Sequence, residues 1–223
     1  MHAVLFDFNG TLYDDKRFHQ TAWQRYLKQR FGMEITAEQV EARLIGPSNR
    51  MVFTEILQLD LTEDEIHRCS EEKEAMYRAV ACERPENLRL VKGVPELLDL
   101  LTGQGIPFAL ATASVPGNIS FYLDTLGLGK WLDRDLIVHE DGSGRPSKPD
   151  PAYYIEAAAR IGAPLSRCII VEDSRAGLEA ARRAKPARLI AIDTMLSEEE
   201  LQKEPGVYTV IHDFTDFARF LEA

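Results

Sequence analysis

The stretch Val4-Leu5-Phe6-Asp7-Phe8-Asn9-Gly10-Thr11 decides how the rest of the chain is read. Three apolar residues followed by an acid, an amide and a glycine predict a short buried strand that ends in a turn. No second strand pattern follows until residue 90 is passed. Between them the spacing is helical: Trp23, Tyr26, Leu27 and Phe31 share one face, and Ile66, Cys69, Lys73, Met76, Tyr77 and Val80 share another. Thr62 and Glu65 form a capping-box signature ahead of that second face. Val40 with Leu44, and Val52 with Ile56 and Leu59, predict two shorter helices. After Val94 the pattern changes to strand alternating with helix. Apolar runs at 106–111, 136–138, 168–171, 189–192 and 207–211 are separated by helical spacing, and 214–221 reads as a closing helix. Near-continuous apolar strands joined by helices predict an α/β fold, a doubly wound parallel sheet covered on both faces. The first strand belongs to that sheet, so residues 1–14 and 91–223 form the sheet domain. Residues 15–90 are an inserted α-helical domain.

Composition narrows the partners. The chain has 223 residues, and its 26 Lys+Arg against 36 Asp+Glu give a net charge of −10. That balance argues against nucleic acid as a partner, because phosphate-backbone affinity comes from lysine and arginine. It leaves small phosphorylated ligands open, since a pocket can be locally positive on an acidic protein. With 45% apolar and 28% charged residues, the composition is that of a folded domain rather than a disordered chain. No run of about 18 apolar residues predicts a membrane span. The N-terminal segment, interrupted by Asp7, reads as a strand and not as a signal peptide. Cys69, Cys82 and Cys168 are odd in number and scattered, which fits a reducing compartment. The expectation is a cytoplasmic protein, monomeric or weakly dimeric, without membrane attachment.

In open parallel sheets, ligands sit beyond the carboxyl ends of the strands. Asp7-Phe8-Asn9-Gly10-Thr11 follows the first apolar run and Thr112-Ala113-Ser114 the second. Glu172-Asp173-Ser174 follows the run at 168–171, and Ser147-Lys148-Pro149-Asp150 stands ahead of the helix after Pro151. Singly these are ordinary: an aspartate at a strand end is often a turn or cap residue, and a lone lysine is commonly solvated. Together, three carboxylates with neutral oxygens make a hard, all-oxygen site suited to Mg²⁺. A lysine and a hydroxyl beside them suit phosphate oxygens.

The order and local sequence of these four segments resemble the haloacid dehalogenase-like superfamily of phosphohydrolases and phosphomutases, with its Rossmann-like core and helical cap. The resemblance spans nearly the whole chain. It implies two-step phosphoryl transfer with Asp7 as nucleophile, and catalytic roles for Asn9, Thr112 and Lys148. It implies Mg²⁺ held by the Asp7 carboxylate, the Asn9 backbone carbonyl and Asp173, with Glu172 as ligand or support. Thr112, Ala113, Ser114 and Lys148 would contact the phosphate.

Phe18-His19-Gln20-Thr21-Ala22-Trp23 and the pair Lys73 with Tyr77 resemble the β-phosphoglucomutase-like branch. That likeness implies substrate contacts from His19 and Lys73, the lysine meeting a second phosphate or the sugar. Gly46-Pro47-Ser48-Asn49-Arg50 stands where the branch has a substrate-loop arginine, whose place falls to Asn49 or Arg50; Arg50 is taken as the candidate. From the residues alone, Trp23 reads as core and Lys73 as a lysine snorkelling out of a helical stripe. One position departs from the pattern. Where the phosphatases and mutases of the superfamily carry the aspartate that serves as general acid and base, this chain has Asn9. An amide cannot give or take that proton. Two readings follow: a Mg²⁺-dependent phosphatase or phosphomutase acting on a small phosphorylated, sugar-like metabolite, or an impaired relative that binds such a metabolite.

Overall fold

The computed structural model describes residues 2–222. The chain divides into two compact units, Met1–Asp14 with Arg89–Ala223, and Asp15–Leu88. The first unit is built on six parallel strands: β1 (Ala3–Phe6), β2 (Phe108–Ala111), β3 (Ile137–Val138), β4 (Cys168–Glu172), β5 (Arg188–Ile192) and β6 (Val207–Ile211), in the order β3-β2-β1-β4-β5-β6. From β1 the chain moves outward through β2 and β3. It then returns to the other side of β1 and continues through β4, β5 and β6. The order therefore reverses at β1, which places the carboxyl end of β1 at the topological switch point where such sheets bind ligands.

The central strands are apolar along their whole length because both faces are covered. Every residue of β1, β2 and β4 is buried. The edge strand β6 is the exception, and Tyr208 lies 60% exposed upon it. The segment at 214–221 forms a 3₁₀ turn, Phe217–Phe220, where the sequence pattern predicts an α-helix. Phe214, Phe217 and Phe220 recur every three residues, which is the 3₁₀ period, and successive rings lie 5.5 Å apart tilted and 5.6 Å apart edge to face.

The second unit has three main helices, α1 (Lys16–Phe31), α2 (Ala37–Leu44) and α3 (Glu63–Ala81). Thr62 caps α3 through the reciprocal bonds of a capping box with Glu65, and Thr36 caps α2 in the same way with Gln39. Trp23, Tyr26, Leu27, Val40, Leu44, Val52, Phe53 and Cys69 form this unit's core. Trp23 meets Phe53 edge to face at 5.4 Å, consistent with its reading as a core residue. The stretch expected as one short helix is instead a single turn, Asn49–Met51, running into a π-turn, Val52–Ile56. The wider turn lets the adjacent Val52 and Phe53 both point inward, and both are fully buried.

The longer helices of the sheet unit are α4 (Val94–Gly103), α5 (Pro116–Asp124), α6 (Ala152–Arg160) and α7 (Arg175–Ala184), followed by a single turn at Glu198–Leu201. Among the described residues, no helix is long and apolar enough to cross a membrane.

Candidate active site

Strand register builds the first half of the site. Phe6 pairs with Val171, and the Asp7 N–H donates to the Val171 carbonyl at 3.0 Å, so Asp7 emerges beside Glu172. Lys148 comes from the loop ahead of α6. Its Nζ lies 2.7 Å from Asp7 Oδ1, 2.5 Å from Glu172 Oε1 and 3.1 Å from the Tyr154 hydroxyl. Carboxylate oxygens of Asp7, Glu172 and Asp173 lie within 4.8 Å of one another. All three residues are buried.

Two glycines make the convergence possible. Gly10 has φ +77°, and a Cβ there would stand 1.9 Å from Asp173 Oδ2. The position thus needs glycine both for its left-handed backbone and for the carboxylate that presses against it. A Cβ on Gly177, in the first turn of α7, would stand 1.8 Å from Glu172 Oε1. Glu172 is seated under that helix start.

The electrostatics follow from burial. Burial pushes the Asp7 carboxyl up to about 7, against the pull of Lys148 and with the added repulsion of Glu172. Burial opposes the charge on Lys148, but Asp7 and Glu172 outweigh it and hold the ammonium above its ordinary value. Burial likewise opposes the Glu172 charge, yet Lys148 and the bonds it accepts keep that carboxyl below its usual range. Lys148 is therefore a fixed cation between two carboxylates.

The two oxygens of Glu172 are already well supplied with donors. Oε1 accepts from Lys148 and from the Tyr154 hydroxyl at 2.9 Å. Oε2 accepts from the N–H groups of Asp173 and Ser174 and from the Ser174 hydroxyl, at 2.9, 3.0 and 3.1 Å. Ser174 is also the cap of α7, accepting from the Gly177 N–H. The all-oxygen donor set of Asp7, Glu172 and Asp173 fits a hard divalent cation such as Mg²⁺. Within that set, the bonding favours Glu172 as orienter of Lys148 over direct coordination.

Asn9, Thr112 and Ser114 form a second group, joined by a residue the sequence did not single out. Asn9 Nδ2 donates to the Tyr122 hydroxyl at 2.8 Å. Ser114 Oγ donates to Asn9 Oδ1 at 2.7 Å and lies 2.9 Å from the Tyr122 hydroxyl. Thr112 Oγ1 lies 3.2 Å from Asn9 Oδ1. Asn9, Tyr122 and Ser114 thus close a ring of hydrogen bonds that fixes which way the amide points. The Gly10 N–H, whose attack would begin deamidation of Asn9, donates instead to the Tyr13 carbonyl at 2.8 Å. Ala113 is exposed between Thr112 and Ser114. Tyr154 and Tyr122 carried no signal in the sequence beyond apolar helix positions; their hydroxyl roles arise only from the packing.

The inserted unit holds a separate cluster. Lys73 Nζ lies 2.8 Å from His19 Nδ1 and 2.8 Å from Glu74 Oε1. The ammonium sits 4.9 Å over the Trp23 ring, and His19 stacks on Tyr77 at 4.0 Å. Lys73 is 2% exposed, so the expectation of a snorkelling lysine is corrected: ion pairing inside the unit replaces solvation at the surface. Arg50 does not join this cluster and pairs with exposed Glu63. Its neighbour Asn49 does join, donating to Glu74 Oε1 at 2.9 Å.

Residues 1–185 match the haloacid dehalogenase-like hydrolase family. The chain is 27% identical over 215 residues to a phosphorylated carbohydrates phosphatase of Thermotoga maritima, covering 95% of this chain and 94% of that protein. Among solved structures, a family IA hydrolase of Entamoeba histolytica superposes with TM-score 0.88 at 31% identity, over 97% of this chain and 95% of that one. The β-phosphoglucomutase of Clostridium difficile shares the fold, with TM-score 0.80 at 24% identity over 99% and 95% of the two chains. With the sheet order, the carboxylates at the switch point and the family match in agreement, the chain belongs to the haloacid dehalogenase-like hydrolases and is an enzyme with the fold of their β-phosphoglucomutase-like members.

Proposed function

We propose that the chain is a Mg²⁺-dependent phosphohydrolase of small sugar phosphates that transfers the phosphoryl group to Asp7. The observation that carries this reading is the buried Asp7 carboxylate beside Lys148, with Asp173 and Glu172 converging on it. The identity to a phosphatase of phosphorylated carbohydrates supports the substrate class. In the first step an Asp7 oxygen bonds to phosphorus, the bond to the leaving alcohol oxygen breaks, and that oxygen takes up a proton from solvent water, since Asn9 has none to give. In the second, water bonds to phosphorus and the bond to Asp7 breaks, returning the carboxylate and releasing inorganic phosphate. Splitting one displacement into two is what a carboxylate nucleophile contributes.

Lys148 offsets the repulsion between the Asp7 carboxylate and an arriving phosphate, and Glu172 with Tyr154 holds it in place. Thr112 and Ser114 supply hydroxyls to the phosphate oxygens. Asp7, Asp173 and the Asn9 carbonyl would hold Mg²⁺, which when bound supplies charge neutralisation at the transferring phosphoryl group.

A second reading, a binding protein with little turnover, is favoured by one observation. Asn9 stands where a proton donor is expected, and its amide is locked to Tyr122 and Ser114. Neither ring nitrogen of His19 is at liberty to substitute: one faces Lys73 and the other lies 3.4 Å from Asp15.

Hydrolysis of an aryl phosphate, whose leaving group needs little protonation, separates the two readings. Wild type, Asp7→Asn and Asn9→Asp are compared with and without Mg²⁺. The proposal expects Mg²⁺-dependent turnover by wild type, its loss in Asp7→Asn, and a gain with Asn9→Asp of up to about 10²-fold on alkyl phosphates. Equal turnover by wild type and Asp7→Asn overturns the assignment of Asp7. Turnover that appears only in Asn9→Asp supports the binding-protein reading.

A further inference from the structure

The turn that follows β1 carries one of the oxygens assigned to the cation, the Asn9 carbonyl, and it is centred on the residue type least able to hold a shape. Gly10 adopts φ +77°, and glycine has the widest conformational freedom of any residue. A backbone carbonyl stays in place there only where the peptides on both sides of the glycine are held. On one side the Gly10 N–H donates to the Tyr13 carbonyl at 2.8 Å, which orients the Asn9–Gly10 peptide and with it the Asn9 carbonyl. On the other side the Gly10 carbonyl accepts from the Thr194 hydroxyl.

Thr194 comes from a different part of the sheet unit. It lies two residues beyond β5, which runs alongside β4 with Ala191 paired to Glu172. The strand ends therefore bring Thr194 beside a turn 184 residues away in sequence. A threonine just past a strand commonly bonds the backbone of its own turn. This hydroxyl instead crosses to the turn of another strand. The bonds from the Thr11, Leu12 and Tyr13 N–H groups to the Phe8 carbonyl are internal to that turn, so they shape it rather than anchor it to β5. Met195 packs on the same residue: a Cβ on Gly10 would stand 3.3 Å from Met195 Cγ. Gly10 also receives the Asp173 carboxylate, and the Thr11 hydroxyl lies 3.5 Å from Asp173 Oδ1. One short turn thus carries the Asn9 carbonyl and seats Asp173, and the Thr194 hydroxyl ties that turn to the end of β5.

We propose that Thr194 is a positioning residue for the divalent cation: its hydroxyl fixes the Gly10 peptide so that the Asn9 carbonyl and the Asp173 carboxylate are presented together. The proposal rests on the cation site of the phosphohydrolase reading above. Partners that orient metal ligands are worth roughly 10–100-fold in metal affinity. A hydroxyl acting through one backbone peptide belongs at the lower end of that range.

The test titrates Mg²⁺ by calorimetry into the full 223-residue chain, stripped beforehand with a chelator, as wild type, Thr194→Val, Thr194→Ser and Asp173→Asn. Thr194→Val keeps the shape and loses the hydroxyl, and it is expected to raise the Mg²⁺ dissociation constant about tenfold. Thr194→Ser keeps the hydroxyl and is expected to bind as wild type does; Thr194→Ala serves if the valine variant does not fold. The Mg²⁺ concentration that half-activates aryl phosphate turnover should rise in Thr194→Val by the same factor as the dissociation constant. A packing role predicts the reverse order, Thr194→Ser weakened and Thr194→Val unchanged, and that result overturns the inference. Affinity unchanged in both, or weakened equally in both, overturns it too, and with Mg²⁺ binding still lost in Asp173→Asn it leaves the cation site standing. Wild type binding no more Mg²⁺ than Asp173→Asn sinks the cation site and the proposal together. The expected Mg²⁺ pattern without turnover by wild type sinks the hydrolase reading and keeps the role of Thr194.

Discussion

The molecule encloses two lysines, one in each unit, and their surroundings differ in kind. Lys148 lies between Asp7 and Glu172, which come from two parallel strands, with its partners 141 and 24 residues away in sequence. Lys73 lies between Glu74, its immediate neighbour, and His19, 54 residues back on an adjoining helix. Each cluster also includes a buried tyrosine donating to a carboxylate, Tyr154 to Glu172 and Tyr77 to Asp15. The strand-end cluster gathers more negative charge than one lysine offsets, and one carboxyl, Asp7, is pushed up to about 7 by burial. An excess of buried carboxylate at a strand end is poised for a cation and a phosphate. The helical cluster is closed on itself: imidazole, ammonium, carboxylate and amide satisfy one another. Two clusters of similar composition therefore differ in what they leave for a ligand.

Removing each lysine tests that contrast most severely. Lys148→Met is expected to lower aryl phosphate turnover on the order of 10²–10³-fold, the scale of losing one electrostatic contact to the reacting group. Lys73→Met is expected to show chiefly as lost stability. It removes the ammonium that Glu74 pairs with inside the unit, and chemical denaturation should register about 3–5 kcal/mol. Replacing Lys73 and Glu74 together by Met and Leu should recover much of that. If Lys73→Met leaves the denaturation midpoint unchanged, the closed-cluster description is wrong.

Gly177→Ala sharpens the comparison from the backbone side. The added methyl group would overlap the Glu172 carboxylate, so a cost of about 1–3 kcal/mol is expected, together with reduced turnover as Lys148 loses its orienter. Stability and activity both at wild-type level would remove Glu172 from its assigned seat under α7.

The two tyrosines test single hydrogen bonds. Tyr77→Phe and Tyr154→Phe each delete one hydrogen bond to a carboxylate, and thermal unfolding should report about 1.5–3 kcal/mol for each. Only Tyr154→Phe is expected to lower kcat as well, because its hydroxyl also touches Lys148. A kcat loss of equal size in both variants would erase the distinction between the clusters.

Much of the architecture is legible in residue order because local physics writes it there. The apolar run before Asp7, the alternation after Val94 and the Thr62–Glu65 box each depend on residues within a few positions of one another. The 3₁₀ turn at Phe217–Phe220 and the π-turn at Val52–Ile56 are not legible in that way. A short apolar stretch is compatible with several helical periods, and only the rings it packs against select one. Tyr122 and Tyr154 read as apolar helix positions, since nothing in a helical stripe says which hydroxyl will meet a polar partner.

The sequence by itself determined the strands and the longer helices, the interruption after the first strand and the chemistry available: carboxylates, a lysine and hydroxyls at strand ends, and an amide at Asn9. Those depend on periodicity and residue type alone. Only the tertiary structure decided how the groups are spent. Parallel pairing of β1 with β4 set Asp7 beside Glu172, and Lys148 came to lie between them. The bonds to Tyr154, Asp173 and Ser174 made Glu172 a holder of the lysine. Burial against Trp23 with Glu74 at hand turned an expected surface lysine into a closed ion pair. Distances of 2.5–3 Å between residues far apart in the chain are set by packing, and packing is a property of the whole fold.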